Sequence, residues 1–246
     1  MTGQVLILGG TGEARALAAR LVDAGAVVLS SLAGRVRDPA LPAGEVRIGG
    51  FGGIAGLTAW LAEHRPMAVV DATHPFAQQI SRNAAAAASE AGVPLLALRR
   101  PQWRPERGDV WIDVPDIHAA AAEVGTRARR AFLTTGRQDV GAFAAQAGTW
   151  FLIRVVDPPT ADLPPHHQLL RSRGPYDIAG ERDLIERYRI DHLVTKNSGG
   201  SMTSAKLVAA RDAGVPVIMV RRPVLPEGVK FVESVADAAD WVDQLR

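Results

Sequence analysis

The sequence predicts an α/β protein with two parallel-sheet units, and three observations carry that expectation. Residues Val5 to Arg15, VLILGGTGEAR, pass from an apolar run through three glycines into an Ala/Leu/Arg-rich stretch, which reads as strand, tight turn and helix start. Short apolar runs bounded by Gly or Pro then alternate with longer helical patterns along the whole chain, the rhythm of βαβ units. Finally, residues 87–101 (AASEAGVPLLALRRP) and 209–223 (AARDAGVPVIMVRRP) share one frame, offset by about half the chain. Each reads as a helix end, a Gly C-cap, a Pro opening a buried strand, and Arg-Arg-Pro. Helix-to-strand links share some of this chemistry by default; the common Arg-Arg-Pro ending favours duplication.

In the first unit, residues 1–100, strands are expected at Gln4–Leu8, Ala26–Ser31, Glu45–Ile48, Met67–Asp71 and Leu95–Arg99, and helices near 13–24, 54–64 and 77–91. In the second, residues 101–246, strands fall near Val110–Asp113, Arg130–Thr134, Trp150–Val156, His192–Thr195 and Val217–Arg221. Its helices fall near 116–124, 138–147, 177–188, 203–213 and 235–244, and the Pro-rich stretches 101–105 and 157–165 are linker or loop. Strands beside the boundary can cross between the sheets. Ligands of such sheets gather beyond the carboxyl ends of the strands, so a cleft between two Rossmann-like units is the expected site.

The turn Gly9-Gly10-Thr11-Gly12-Glu13 suits a nucleotide phosphate, because glycine permits close backbone approach and a helix N-terminus favours negative charge. The third glycine of the G-x-G-x-x-G pattern is replaced by Arg15, and the same turn occurs in α/β proteins that bind nothing. Glu13 suits a helix start but would repel a phosphate lying too close. The second strand ends in Ser30-Ser31 and is followed by Arg35 and Arg37, with no acid before Asp38. Hydroxyls and a guanidinium suit a 2′-phosphate, so Ser31 and Arg35 point to NADPH rather than NADH; the alternative is an ordinary solvated loop.

Three loops leave strand ends with unusual chemistry. In Asp71-Ala72-Thr73-His74-Pro75-Phe76, Asp71 and Thr73 either cap the next helix or meet a cofactor. His74 suits proton transfer near neutral pH, and Phe76 suits packing against a flat ring. Thr134-Thr135-Gly136-Arg137-Gln138-Asp139 is the second unit's counterpart of the glycine turn and fits an anion at a helix start, with Gly136 and Arg137 as its carriers. In Thr195-Lys196-Asn197-Ser198-Gly199-Gly200-Ser201, a lysine follows a buried strand into a nest-like turn. Arg99, Arg171, Arg173 and Arg221 are weaker candidates for anion contacts.

Composition narrows the chemistry. Basic and acidic residues nearly balance, at 28 against 26, so nucleic acid is not an expected partner. Cysteine is absent, which removes disulfides, thiolate catalysis and Cys-ligated zinc and fits a reducing cytoplasm. His residues are scattered, so no metal site is expected. There is no secretory segment and no apolar run long enough for a membrane span. The two tyrosines, Tyr176 and Tyr188, have Gly180 and His192 four residues on, so the Tyr-x-x-x-Lys device of short-chain dehydrogenases is missing. Without it or zinc to polarise a carbonyl, reduction of a conjugated C=C or C=N bond is the better fit.

Taken together, the LGGTGE start, the DATHPFA loop, the TKNSGG loop and the Val-Pro…Arg-Arg-Pro strand resemble the precorrin-6A reductase family of cobalamin biosynthesis, across nearly the whole chain. The resemblance implies a cytoplasmic enzyme that uses NADPH to reduce one double bond of a carboxylate-rich tetrapyrrole, giving precorrin-6B, with neighbouring pathway enzymes as partners. NADPH then lies along Gly9, Gly10, Thr11, Gly12 and Glu13, its 2′-phosphate near Ser31 and Arg35, its nicotinamide facing Asp71 and Thr73. Phe76, Gly136, Arg137, Lys196, Asn197, Ser198 and Gly199 meet the substrate, and the proton comes from water, His74 or Lys196. The alternatives are a cobalt-loaded ring, a smaller conjugated substrate, or a non-catalytic NADP(H)-binding sensor.

Overall fold

Why the chain opens as a strand is plain from its burial: Val5, Leu6, Ile7 and Leu8 are all inaccessible, so the run has no wet face. The computed structural model describes residues 3–34 and 41–246. In chain order the elements are β1 (Gln4–Leu8), α1 (Gly12–Asp23), β2 (Val27–Leu32), β3 (Glu45–Ile48), α2 (Gly53–His64), β4 (Ala68–Asp71), α3 (Gln78–Ala91), β5 (Leu95–Leu98), β6 (Trp111–Val114) and α4 (Ile117–Arg127). They continue with β7 (Arg130–Leu133), a 3₁₀ turn (Val140–Phe143), β8 (Trp150–Val155), β9 (His167–Arg171), α5 (Ile178–Arg187), β10 (His192–Lys196), α6 (Ala205–Asp212), β11 (Val217–Val220), β12 (Lys230–Val232) and α7 (Val235–Asp243).

Two six-stranded sheets result, in the orders β12-β5-β4-β1-β2-β3 and β6-β11-β10-β7-β8-β9. Every neighbouring pair is parallel. Parallel strands need crossover helices, which cover both faces and force the strands to be apolar on both sides. In the first sheet Val5 and Ile7 pack with Leu17, Ala18 and Leu21 of α1 and with Ala238, Ala239 and Val242 of α7. Leu6 and Leu8 point the other way, to Leu57 and Leu61 of α2 and Ala84, Ala87 and Ala88 of α3. In the second, Phe132, Leu152, Leu193 and Val217 form a core with Ile185, Leu207 and Ala210.

The two repeated segments fold alike. Gly92 and Gly214 end their helices at φ of +65° and +64°, a left-handed conformation that favours glycine. Val93 and Val215 then donate back to Ala88 and Ala210 at 2.9 and 2.8 Å. Arg99 and Arg221 each donate their main-chain N–H to a strand from the other side of the repeat, Val232 on β12 and Val114 on β6.

That last pairing revises the expected division. The chain forms one unit from Met1–Pro101 with Pro223–Arg246, and another from Gln102–Arg222. The expectation of a second unit reaching residue 246 is therefore corrected: β12 completes the first sheet and α7 packs on α1. Each crossing falls at an Arg-Arg-Pro. The expected helix 138–147 is another difference. Only a 3₁₀ turn forms, closed by Ala142→Asp139 and Ala144→Gly141 bonds, and a Cβ on Gly141 would stand 3.1 Å from Ala161 Cβ. Glycine lowers helix propensity there and lets a neighbouring loop approach. Two unexpected strands, β9 and β12, are sheet edges.

The second core buries a charge pair. Arg154 on β8 donates to Glu181 Oε1 at 2.6 Å, its guanidinium lies 4.0 Å from the Tyr176 ring and 4.7 Å from Phe132, and the two side chains are 6% and 1% exposed. Stripping water from both ions is costly, and Glu181 Oε2 has no hydrogen-bond partner among the described residues. Glu181→Leu alone is expected to destabilise this unit by about 3–5 kcal/mol, whereas Arg154→Met with Glu181→Leu recovers most of the loss. Urea unfolding followed by tryptophan fluorescence reads both.

Candidate active site

Strand order places the loops. In the first sheet the chain winds outward from β1 through β2 and β3, then returns to β4 on the other side of β1. The loops after β1 and β4 therefore part above the carboxyl edge, at the switch point where such sheets bind ligands. In the second sheet the same gap opens between the loops after β7 and β10. The four loops singled out by their chemistry are these four.

At the first gap, Gly9 continues the ladder by donating to Ser31 O at 2.9 Å, and a Cβ there would stand 3.2 Å from Leu32 Cδ2. Gly10 turns the backbone at φ +111° with open space where a Cβ would be. Thr11 caps α1: its hydroxyl accepts from the Ala14 N–H at 3.0 Å and donates to the Ala72 carbonyl at 2.8 Å. The Thr11 side chain is thus spent on capping α1 and tying the two loops together. Glu13 is answered by Arg100 at 2.8 Å, which cancels the charge that would oppose an anion at the helix start. Thr11, Glu13, Thr73, Pro75, Leu98 and Arg100 line a small depression here.

Asp71 ends β4 nearly buried, and its Oδ1 accepts from the Thr73 N–H at 3.1 Å and the Thr73 hydroxyl at 2.6 Å. This Asx turn shapes the loop. Arg99 braces it, donating to the Pro75 carbonyl at 2.5 Å and the Pro223 carbonyl at 3.2 Å. Burial pushes the Arg99 guanidinium below its usual pKa, and the Asp71 charge works against that shift. Beyond the brace, His74 is exposed and Phe76 half-buried, with ring centroids 5.9 Å apart. His74 Nδ1 accepts from the Phe76 N–H at 3.3 Å, which leaves Nε2 as the protonated nitrogen of the neutral ring. Ser31 sits on β2 in register with Leu8 of β1, and Arg35 lies outside the described residues.

At the second gap, the Thr134 hydroxyl donates to Val194 O at 3.1 Å, and Lys196 forms an ion pair with Asp139, so the two loops are again tied. Gly136 turns at φ +88°, and Arg137 stands 4.0 Å from Asp157. The 3₁₀ turn that follows is too short for a helix dipole, so the anion reading of Gly136 and Arg137 loses that support. Ser198 folds back, its N–H and hydroxyl directed to the Lys196 carbonyl at 2.7 and 3.3 Å, and Gly199 and Gly200 continue with φ of +70° and +79°.

Asn197 behaves differently from its neighbours. Its Oδ1 accepts from the Trp103 N–H and its Nδ2 donates to the Trp103 carbonyl, both at 2.9 Å. The Trp103 indole donates to Gly200 O at 2.8 Å, and Arg222 Nε donates to Asn197 O at 3.1 Å. The amide is committed to holding the loop. Sequence reading missed Trp103, Arg100 and Arg222, and offered Arg99 as an anion contact where it instead donates to the Pro75 and Pro223 carbonyls; the repeated Arg-Arg-Pro was the available signal for the arginines, and nothing marked Trp103. Among the described residues no His, Asp and Glu group is placed to hold a metal, and no helix is long and apolar enough to cross a membrane.

Two Rossmann-like units, each with a switch point carrying a glycine-bearing loop opposite a polar one, define a ligand-binding α/β protein of doubled architecture. The precorrin-6x reductase CbiJ/CobK model matches residues 4–243. The chain belongs to that family, oxidoreductases of cobalamin biosynthesis. It is 56% identical to the precorrin-6A reductase of Rhodococcus erythropolis over 98% of both chains. A solved structure of CobK precorrin-6A reductase matches with a TM-score of 0.92 at 40% identity, covering 99% of this chain and 97% of that one. The cobalt-precorrin-6A reductase of Salmonella typhimurium is 30% identical, over 95% of this chain and 93% of its own.

Replacing Asn197 by Asp keeps an acceptor for the Trp103 N–H but sets a carboxylate oxygen against the Trp103 carbonyl. The expected cost is about 1–3 kcal/mol, read as a lower thermal midpoint and a shifted tryptophan emission.

Proposed function

We propose that the chain reduces one double bond of precorrin-6A to give precorrin-6B, in the cytoplasm, with NADPH as reductant. The observation that carries this reading is full-length likeness to precorrin-6A reductases at an identity far above that to a cobalt-precorrin-6A reductase. The same contrast favours the cobalt-free ring.

The residues present fit a dinucleotide. Gly10 leaves room for close approach, the first N–H groups of α1 are the ones a helix leaves unpaired, and the Glu13–Arg100 pair removes the local negative charge. Gly9 to Glu13 would hold the pyrophosphate, with Ser31 and Arg35 toward the 2′-phosphate. When bound, NADPH supplies a hydride. The chain's own part is to position and to protonate. Asp71 and Thr73, locked in their turn, fix the loop beside the coenzyme, and Phe76 offers a ring to the edge of a flat macrocycle. The Lys196 ammonium, with Arg137 and the main chain of Gly136 and Gly199, meets the ring's acetate and propionate carboxylates, while Ser198 folds back on the Lys196 carbonyl and shapes the turn. The proton that completes the added pair of hydrogens comes from water, from His74 Nε2 or from Lys196.

Anaerobic incubation with precorrin-6A and either coenzyme tests the reading. Loss of NADPH absorbance with a product heavier by two hydrogens is expected, and little turnover with NADH. Turnover on the cobalt-loaded ring alone would overturn the substrate assignment. Lys196→Ala is expected to raise the KM for the tetrapyrrole on the order of ten-fold while leaving the NADPH Kd unchanged. An unaltered KM removes Lys196 from the site.

A further inference from the structure

At the carboxyl edge of the first sheet, β3 runs into Gly49-Gly50-Phe51-Gly52-Gly53 before α2 begins. Gly49, Gly52 and Gly53 hold φ of +119°, +83° and +83°, and a Cβ on any of them or on Gly50 would meet nothing within 4 Å. The backbone is bent there with open space beside these four glycines, while the Phe51 carbonyl packs close against α2, where a Cβ on Gly56 would stand 1.7 Å from its oxygen. Arg47 folds over this loop: its two terminal amino groups donate to Gly49 O at 2.7 Å and Gly50 O at 2.9 Å, and its guanidinium carbon sits 4.1 Å from the centre of the Phe51 ring. Phe51 in turn meets Trp60 edge-on at 5.6 Å, and Trp60 stacks on His64 at 4.1 Å. On either side in sequence, Ile48 and Ile54 remain 62% and 43% exposed.

A flat cation over a ring, part-exposed and flanked by uncovered apolar residues, is a stacking surface. Guanidinium planes and aromatic rings both stack on nucleobases, and such contacts accept any base because each has a π-face. A phosphate is the poorer occupant, since it takes paired N–H donors and the two amino groups of Arg47 already serve loop carbonyls. Position agrees. Arg47 is in register with Ser31, and Ser31 with Leu8 of β1, so the platform stands two strand spacings, about 10 Å, from the strand that feeds the glycine turn. A dinucleotide with its pyrophosphate on that turn extends one half toward β4 and the loop 71–76, and the other over β2 and β3.

Resting on the coenzyme reading above, we propose that Arg47 and Phe51 form the platform on which the adenine ring of the coenzyme stacks. Arg47 thereby acts twice: it pins the glycine-rich loop and offers its outer face to the base.

The test measures Kd for NADPH, NADH and 2′,5′-ADP, together with thermal midpoints, on the full chain and on Arg47→Gln, Arg47→Lys and Phe51→Leu. Stacking is indifferent to the 2′-phosphate, so Arg47→Gln is expected to weaken all three ligands by one common factor, on the order of ten-fold. Arg47→Lys, which keeps the charge and loses the plane, behaves like Arg47→Gln, and Phe51→Leu weakens all three as well. Unchanged affinities overturn the proposal. So does a loss confined to the 2′-phosphorylated ligands, which makes Arg47 a phosphate contact, or a loss that in every variant comes with a matching drop in thermal midpoint. If the unsubstituted chain binds neither coenzyme, the coenzyme reading falls and takes the platform with it. If it binds and the variants match it, the platform alone falls.

Discussion

In both sheets the chain reverses its direction of travel around one interior strand, β1 in the first and β7 in the second, and that one topological constraint arranges the rest. With β1 between β2 and β4, and β7 between β8 and β10, the chain must wind outward, return, and continue on the far side. Parallel strands bring all their carboxyl ends to one edge, so the loops that leave the two central strands are forced apart there. The gap needs bracing from below, and in each unit a short polar bridge supplies it: the Thr11 hydroxyl to Ala72 in one, Lys196 to Asp139 in the other. Side chains that read from sequence as ligand contacts are in part the struts that hold the gap's shape.

The charges around the gaps are matched locally. Glu13 faces Arg100, Asp71 lies near Arg99, and Asp139 faces Lys196. Groups fixed this way do not have to reorganise when a charged ligand arrives, which is the condition under which dipoles and ions help binding and catalysis most. Beside these anchors the main chain leaves room for close approach at Gly10 and Gly136, where an added Cβ would meet nothing within 4 Å.

Most of this architecture was written in local patterns. The interior strands are apolar on both faces, and that signal is loud: β1, β4, β5, β10 and β11 begin and end within two residues of where the sequence puts them. Edge strands divide: β3 and β6 fall within one residue of where the sequence puts them, but two others carry no such mark. β9, His167–Arg171, is half polar because only one side needs a partner, and β12 is three residues long. The helix expected over 138–147 fails because Gly141 serves a close contact that no window of neighbouring residues reveals. At the site, loop positions were legible from residue type, but the division of labour was not. Asn197 binds Trp103 across 94 positions of chain, a pairing that only the folded sheet brings about.

The return of Pro223–Arg246 to the first unit has a consequence for how the protein is made. Residues 102–222 leave the ribosome as one uninterrupted block, with every strand of their sheet already present. The first unit is synthesised earlier yet waits longer, because the strand that completes its edge and the helix that covers Leu17 and Leu21 follow the whole of the second unit. Order of synthesis and order of completion are reversed, and until residues 223–246 emerge, the face of α1 that α7 covers stays open to water.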